Sequence, residues 1–295
     1  MTLDGTHKLW ADLYCPGIKP AEADFTIIGI PFDGLASARL GAAQAPERIR
    51  FWSHHLTPFS EDRTRLAGLK ICDLGDFSIK DVQVDFQAIA EVVAGLPNPL
   101  ITLGGDHSVS IPVFQGQRKR SKGRLGVLWV DAHPDLCDDF DGSRFSHACV
   151  LRRGMEFGID PGDICLVGLR SWEEQEIDLI ENGGMHVYTA ADVAERGMKP
   201  IAAEIRTLLS VCDSVHVSFD IDALDPSAAP GTGIPDYGGL SMREVLTLLK
   251  SLQGLPLIGL DMVEVAPALD QSEATVFAAL KIIMEFIAVI QRGRI

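Results

Sequence analysis

Short runs of β-branched and aliphatic residues alternate along this chain with longer stretches whose apolar residues recur at helical spacing, about eight times over. Strands are predicted at 24–30, 68–73, 100–103, 125–130, 163–168, 185–188, 215–219 and 257–261. Helices are predicted at 46–52, 84–96, 145–157, 172–181, 193–209 (interrupted at Gly197 and Pro200), 242–252 and from Ser272 onward, with one more after Ser108. Strand–helix alternation leaves little choice of architecture. Consecutive strands joined through helices run parallel, and both faces of the sheet are then covered. The reading is an α/β chain with a mostly parallel sheet and helices on both sides. No linker-like shift in composition or internal repeat divides the sequence, so residues 1–295 read as one domain.

In such sheets ligands sit beyond the carboxyl ends of the strands, and that is where this chain concentrates its reactive side chains. The run Leu125–Val130 ends in Asp131-Ala132-His133-Pro134-Asp135. Side chains on an extended segment alternate faces, so Asp131, His133 and Asp135 share a side and offer two hard oxygen donors and one nitrogen. Alone, this motif reads equally well as a turn whose acids cap the next helix. His107, however, follows the strand at 100–103, Asp220 and Asp222 follow the strand at 215–219 with the same spacing, and Glu264 follows the last strand. Two His and four Asp exceed the four ligands of a closed structural zinc site. They suit two ions sharing bridging carboxylates, the arrangement of metal-assisted hydrolysis.

Other groups have plainer readings. Gly104-Gly105 is a tight-turn signal, Asp106 a helix cap or a partner behind the ligands, and Asp225-Pro226 a turn starter. His147 alone reads as a surface histidine, and His54 and His55 lie in a predicted helix and read as structural. The net charge of −15 disfavours a nucleic-acid or anionic-membrane surface. The N-terminus shows no secretory signal pattern. The stretch 276–290 is interrupted by Lys281 and Glu285 and reads as an amphipathic helix rather than a membrane span. Six scattered cysteines without a Cys-x-x-Cys pair fit reduced core thiols in a cytoplasmic protein.

Three motifs in order, Gly104-Gly105-Asp106-His107-Ser108, Asp131-Ala132-His133-Pro134-Asp135 and Ser218-Phe219-Asp220-Ile221-Asp222-Ala223-Leu224-Asp225-Pro226, resemble those of the ureohydrolases, the family of arginase and agmatinase. The stretches 229–233 and 264–273 look most like agmatinases. The resemblance implies a three-layer α/β/α fold around a central eight-stranded parallel sheet, and two Mn²⁺ ions. His107, Asp131, Asp135 and Asp220 would hold one ion; His133, Asp131, Asp220 and Asp222 would hold the other, with Asp131 and Asp220 bridging. It also implies that Asp135 orients a hydroxide nucleophile, that Glu264 pairs with a guanidinium group, and that His147 shuttles a proton to the leaving amine. A homo-oligomer, trimer or hexamer, is implied as well.

This chain departs from the family pattern at Ala148 and Ile234, where a glycine and a threonine are common. Where arginases place an asparagine for the substrate's α-carboxylate, it has Cys137, followed by Asp138, Asp139 and Asp141, with Arg144 nearby. Those acids would repel a carboxylate and attract an amine. The expected substrate is therefore a small cationic guanidino compound, agmatine, with urea and putrescine as products. Arginine, guanidinobutyrate or guanidine by the same chemistry, or a catalytically silent regulatory homologue, remain as alternatives.

Overall fold

The computed structural model describes residues 9–294. Eight strands form the sheet: β1 (Phe25–Gly29), β2 (Ile71–Asp76), β3 (Leu100–Leu103), β4 (Leu125–Val130), β5 (Ile164–Leu169), β6 (His186–Thr189), β7 (Ser214–Asp220) and β8 (Leu257–Val263). Their order across the sheet is β2-β1-β3-β8-β7-β4-β5-β6, and every pairing is parallel. The helices are α1 (Leu9–Asp12), α2 (Ala45–Ser53), α3 (Val82–Ala94), α4 (Ser110–Arg120), α5 (Val150–Glu156), α6 (Ile177–Asn182), α7 (Ala190–Arg196), α8 (Met198–Leu209), α9 (Met242–Ser251) and α10 (Ala274–Gly293).

The pleat divides the interior into layers. Leu128 and Val130 of β4 join Val215, Val217 and Phe219 of β7 in a core shared with α2, α8, α9 and α10. Leu125, Val127 and Trp129 point the other way, toward Phe114 of α4 and Val150 and Leu151 of α5. β4 is therefore apolar on both faces, as a parallel strand covered by helices should be, whereas the second face of β7 buries His216 and Ser218, with His216 Nε2 3.0 Å from Asp261 Oδ2 of β8. The four strands ending in the acid and histidine motifs, β3, β8, β7 and β4, are neighbours in the middle of the sheet. Because all run parallel, their carboxyl ends share one edge.

Several boundaries differ from the sequence reading. The helix predicted from Phe145 begins only at Val150; a 3₁₀ turn, His147–Cys149, precedes it, with the Ser146 side chain accepting from the Ala148 N–H. The helix predicted from Trp172 begins at Ile177 after a 3₁₀ turn, Glu174–Glu176, because Glu173 is extended and its N–H is taken by the Glu176 carboxylate at 2.7 Å. Gly197 does separate α7 from α8, with φ 81°. Pro200 interrupts nothing, because it lies in the first turn of α8, where its missing N–H has no intrahelical partner to lose. The last helix is not amphipathic. α10 buries residues on all sides in its second half, the consecutive Ile282, Ile283, Met284 and Glu285 among them, and is long and apolar enough to cross a membrane, but 72% of its most apolar window lies inside the fold. Glu285 survives there because its carboxylate accepts from Glu61 N at 2.7 Å and pairs with Lys281 at 2.6 Å.

Candidate metal and hydrolytic site

Each ligand candidate is aimed by its own strand end. Asp131 follows β4, and its Oδ1 accepts the His133 N–H at 2.7 Å. Asp220 ends β7, and its Oδ1 accepts the Asp222 N–H at 2.8 Å. Asp222 Oδ1 accepts the Ala132 N–H at 3.2 Å, tying the two strand ends together. In all three, one carboxylate oxygen is held by backbone and Oδ2 faces the site; in Asp131 the held Oδ1 also faces the His133 ring. The His107 ring lies flat on Trp129, with centroids 4.3 Å apart and planes 5° from parallel, and its Nε2 meets Ser218 Oγ at 2.9 Å. Only Nδ1 then faces inward.

What Nδ1 faces is three carboxylates at once: Asp131 Oδ2 at 3.1 Å, Asp135 Oδ2 at 3.2 Å and Asp220 Oδ2 at 3.2 Å. One nitrogen cannot serve three acceptors. Neither His107 Nδ1 nor Asp131 Oδ2 has a hydrogen-bond partner, although both are buried. A second group lies alongside, with His133 Nδ1 3.2 Å from Asp222 Oδ2 and 3.5 Å from Asp131 Oδ1. Asp131 belongs to both groups, and Asp220 to the first. Buried oxygens and imidazole nitrogens converging on two points fit a pair of divalent cations by donor type and by charge.

The same crowding shows in the proton affinities. Burial and the neighbouring Asp131 charge push Asp135 up to about 6. Burial and the neighbouring acids push Asp220 well above the carboxylate range and raise Asp222 too. His133 is also raised: burial opposes its charge, but Asp222 and Asp131 overcome that and carry it to about 12. Without cations, the cluster holds protons.

Asp135 and Glu264 both adopt left-handed backbone, φ 48° and 60°, which non-glycine residues rarely do. Glu264 Oε1 accepts the His107 N–H at 2.8 Å and stands 3.5 Å from His147 Nδ1. The other ring nitrogen of His147, Nε2, meets Ser37 Oγ at 2.9 Å. Burial alone would lower the His147 pKa, but Glu264, Asp135 and Asp106 carry it up to about 9.

A cavity of about 200 Å³ opens above these groups. His133, Asp135, Asp220 and Asp222 line it, as do His147 and Glu264; Ser37, Phe140, Ala148, Ser171, Trp172, Glu173, Glu176 and Ile234 complete the lining. All the predicted site residues thus meet at one place, His107 and Asp131 just beneath the cavity. Asp106 is a cap, its Oδ1 accepting from Ser108 N and its Oδ2 from Leu35 N at 2.9 Å, which draws the 33–37 loop over the site. Asp225 braces its turn through Ser227 and Gly238 N–H groups. His54 and His55 follow α2 with their rings 3.9 Å apart and tilted by 39°, and do not line the cavity.

The acidic loop is a correction. Asp138 pairs with Arg153 at 2.7 Å and Arg144 at 3.4 Å, and Asp139 accepts from Gly142 N. From this loop it is Phe140, not an acid, that reaches the cavity. The acids facing the cavity beyond the ligand cluster are Glu264, Glu173 and Glu176, and among the described residues no Lys or Arg lines it. Both departures from the family pattern, Ala148 and Ile234, are cavity wall.

Comparison with known proteins agrees with this geometry. The profile of the Arginase family matches residues 23–288. An agmatinase of Salmonella dublin is 34% identical over 280 residues, 90% of this chain and 87% of that protein. The solved agmatine ureohydrolase of Thermoplasma volcanium superposes with a TM-score of 0.87 at 29% identity, covering 97% of this chain and 95% of its own. The proclavaminate amidino hydrolase of Streptomyces clavuligerus superposes with a TM-score of 0.88 at 32% identity, covering 95% of each chain. By sequence over most of its length and by fold, the chain belongs to the arginase family of metal-dependent amidinohydrolases.

Proposed function

We propose that this protein hydrolyses agmatine to putrescine and urea, using two Mn²⁺ ions held by His107, Asp131, Asp135 and Asp220 on one side and His133, Asp131, Asp220 and Asp222 on the other. The observation that carries the reading is the cavity: ligand candidates at its floor, carboxylates on its wall, and among the described residues no Lys or Arg to receive a substrate carboxylate. An α-amino acid or a guanidino acid would bury its negative tail against Glu173 and Glu176. A distal ammonium would be drawn in.

The guanidinium carbon is a poor electrophile and water at neutral pH a poor nucleophile; the chemistry that paired divalent ions supply at such a site is a lowered pKa for water and a fixed position for it. Asp135 accepts a hydrogen bond from the attacking water and aims it at the guanidinium carbon. Glu264, held through its Oε1 by the His107 N–H, places its charge against the planar guanidinium. His147, kept protonated by Glu264, hands a proton to the departing amine nitrogen as the C–N bond breaks. Ser37 fixes the imidazole from its far side.

A second reading has its own support: Ala148 and Ile234 reshape the wall, and one structural relative is named for a different guanidino substrate. Urea release by the Mn²⁺-loaded protein from agmatine, arginine, 4-guanidinobutyrate and guanidine separates the two. Turnover of agmatine well above the others is expected; preference for another compound would keep the chemistry and overturn the substrate. The proposal includes a cytoplasmic homo-oligomer, trimer or hexamer, acting on a small molecule with no nucleic-acid or membrane partner. The acidic net charge of −15 supports the last two exclusions.

A further inference from the structure

Trp172 stands out among the cavity-lining side chains. It lines the cavity yet is 47% exposed, and among the described residues its indole has no ring partner and no hydrogen bond. Phe140, across the same cavity, is by contrast wedged edge-on against His147 at 6.4 Å. A tryptophan left half in water forgoes much of the stabilisation its large apolar surface provides on burial.

Its backbone is nevertheless clamped from both sides to the loops that bear the ligand candidates. On one side, Arg170 N and Ser171 N donate to the Ala132 carbonyl at 2.9 and 3.1 Å. The Arg170 guanidinium donates to the carbonyls of Asp222 at 2.6 Å and Asp236 at 2.7 Å. On the other side, buried Glu176 bridges two loops with separate oxygens. Its Oε1 accepts from Leu136 N and its Oε2 from Glu173 N, each at 2.7 Å. The Trp172 backbone is thus held at a fixed place relative to the reacting centre, and Glu173, the next residue, lines the same cavity.

We infer that Trp172 is a specificity-determining residue: its ring face is the platform on which the distal cation of the substrate rests while the guanidinium lies at the ligand cluster. The inference deepens the agmatine reading and rests on it. An ammonium over an indole face gains from the ring quadrupole, and a carboxylate there is repelled by it and by Glu173. Fixing the backbone that carries the ring lowers part of the ordering cost of binding the tail.

The test is steady-state urea release by Mn²⁺-loaded wild type, Trp172→Ala and Trp172→Phe on agmatine and on methylguanidine, which has no tail. In Trp172→Ala, the ratio of kcat/KM for agmatine to that for methylguanidine should fall about three- to fivefold, chiefly through KM. Trp172→Phe should restore most of it. A merely structural role would lower both substrates alike, and an unchanged ratio overturns the inference. Wild type that hydrolyses methylguanidine but not agmatine would instead overturn the substrate reading, and the role of Trp172 with it.

Discussion

At the scale of single residues, the site works by giving each carboxylate oxygen one task. Asp131, Asp220 and Asp222 each spend one oxygen on a backbone N–H and keep the other for the centre. Asp131→Asn would put an amide where both ligand groups need charge. It is expected to lose metal and to lower activity more than about a hundredfold; full metal content and rate would remove Asp131 as the bridge. His147→Ala should retain metal, measured by elemental analysis, while kcat falls about a hundredfold or more. The His147–Glu264 contact also predicts a pH effect. Because Glu264 raises the His147 pKa, the donor stays loaded through neutral pH and is lost as pH rises through its pKa. Glu264→Gln removes that support, so the alkaline limb of the kcat profile should move to lower pH; an unmoved or raised limb would contradict the proton-donor role.

At the scale of elements, the turn after β3 shows how little room the arrangement leaves. A Cβ on Gly105 would lie 1.8 Å from the Phe32 carbonyl oxygen, and this is backbone that cannot swing aside. The Gly105 carbonyl also accepts the Glu264 N–H at 2.8 Å, and the Asp106 N–H donates to Phe32 O at 2.8 Å. Gly105→Ala is expected to cost about 1–3 kcal/mol in denaturant unfolding and to depress kcat through Glu264; a fully stable, fully active variant would contradict the account of that turn. Elements also mark what the sequence could and could not disclose. His107, Asp131, His133, Asp135, Asp220 and Asp222 were legible because acids and histidines recur at the ends of three predicted strands. Alternation is not what aims them: the chain bends after Val130, Asp135 is left-handed at φ 48°, and Asp222 lies in the 3₁₀ turn Ile221–Ala223. Ser37 was not, since it comes from an irregular loop; Trp172, Glu173 and Glu176 were not, since the sequence read them into a helix that begins only at Ile177, and the connection before it carries them to the cavity. The acids at 138–141 misled because the neutralising partner of Asp138, Arg153, lies on a helix beyond the loop, and Asp139 is turned to the Gly142 N–H. The last helix misled because Lys281 and Glu285 mimic a polar face, although they pair with each other and Glu285 is buried.

At the scale of the whole molecule, a sheet of eight parallel strands gathers four motif-bearing ends at its centre. The concentration of buried acids there is a liability for the chain without cations. Asp135, Asp220 and Asp222 all have raised proton affinities, so loading metal must release protons, and affinity should fall as pH is lowered. Ligands that bind only the folded state stabilise it by mass action, about 2.7 kcal/mol at a hundredfold excess over Kd for one site. Chelation should therefore lower Tm by several degrees and Mn²⁺ should restore it. A Tm indifferent to chelator would place the stability of the sheet's centre elsewhere.

The most direct test of the central claim is urea release from agmatine as a function of bound Mn²⁺ per chain, starting from chelator-treated protein. The account predicts activity that rises to a plateau at two equivalents, with putrescine formed in equal amount to urea. Full activity at one equivalent or none, or no urea with two ions bound, would contradict it.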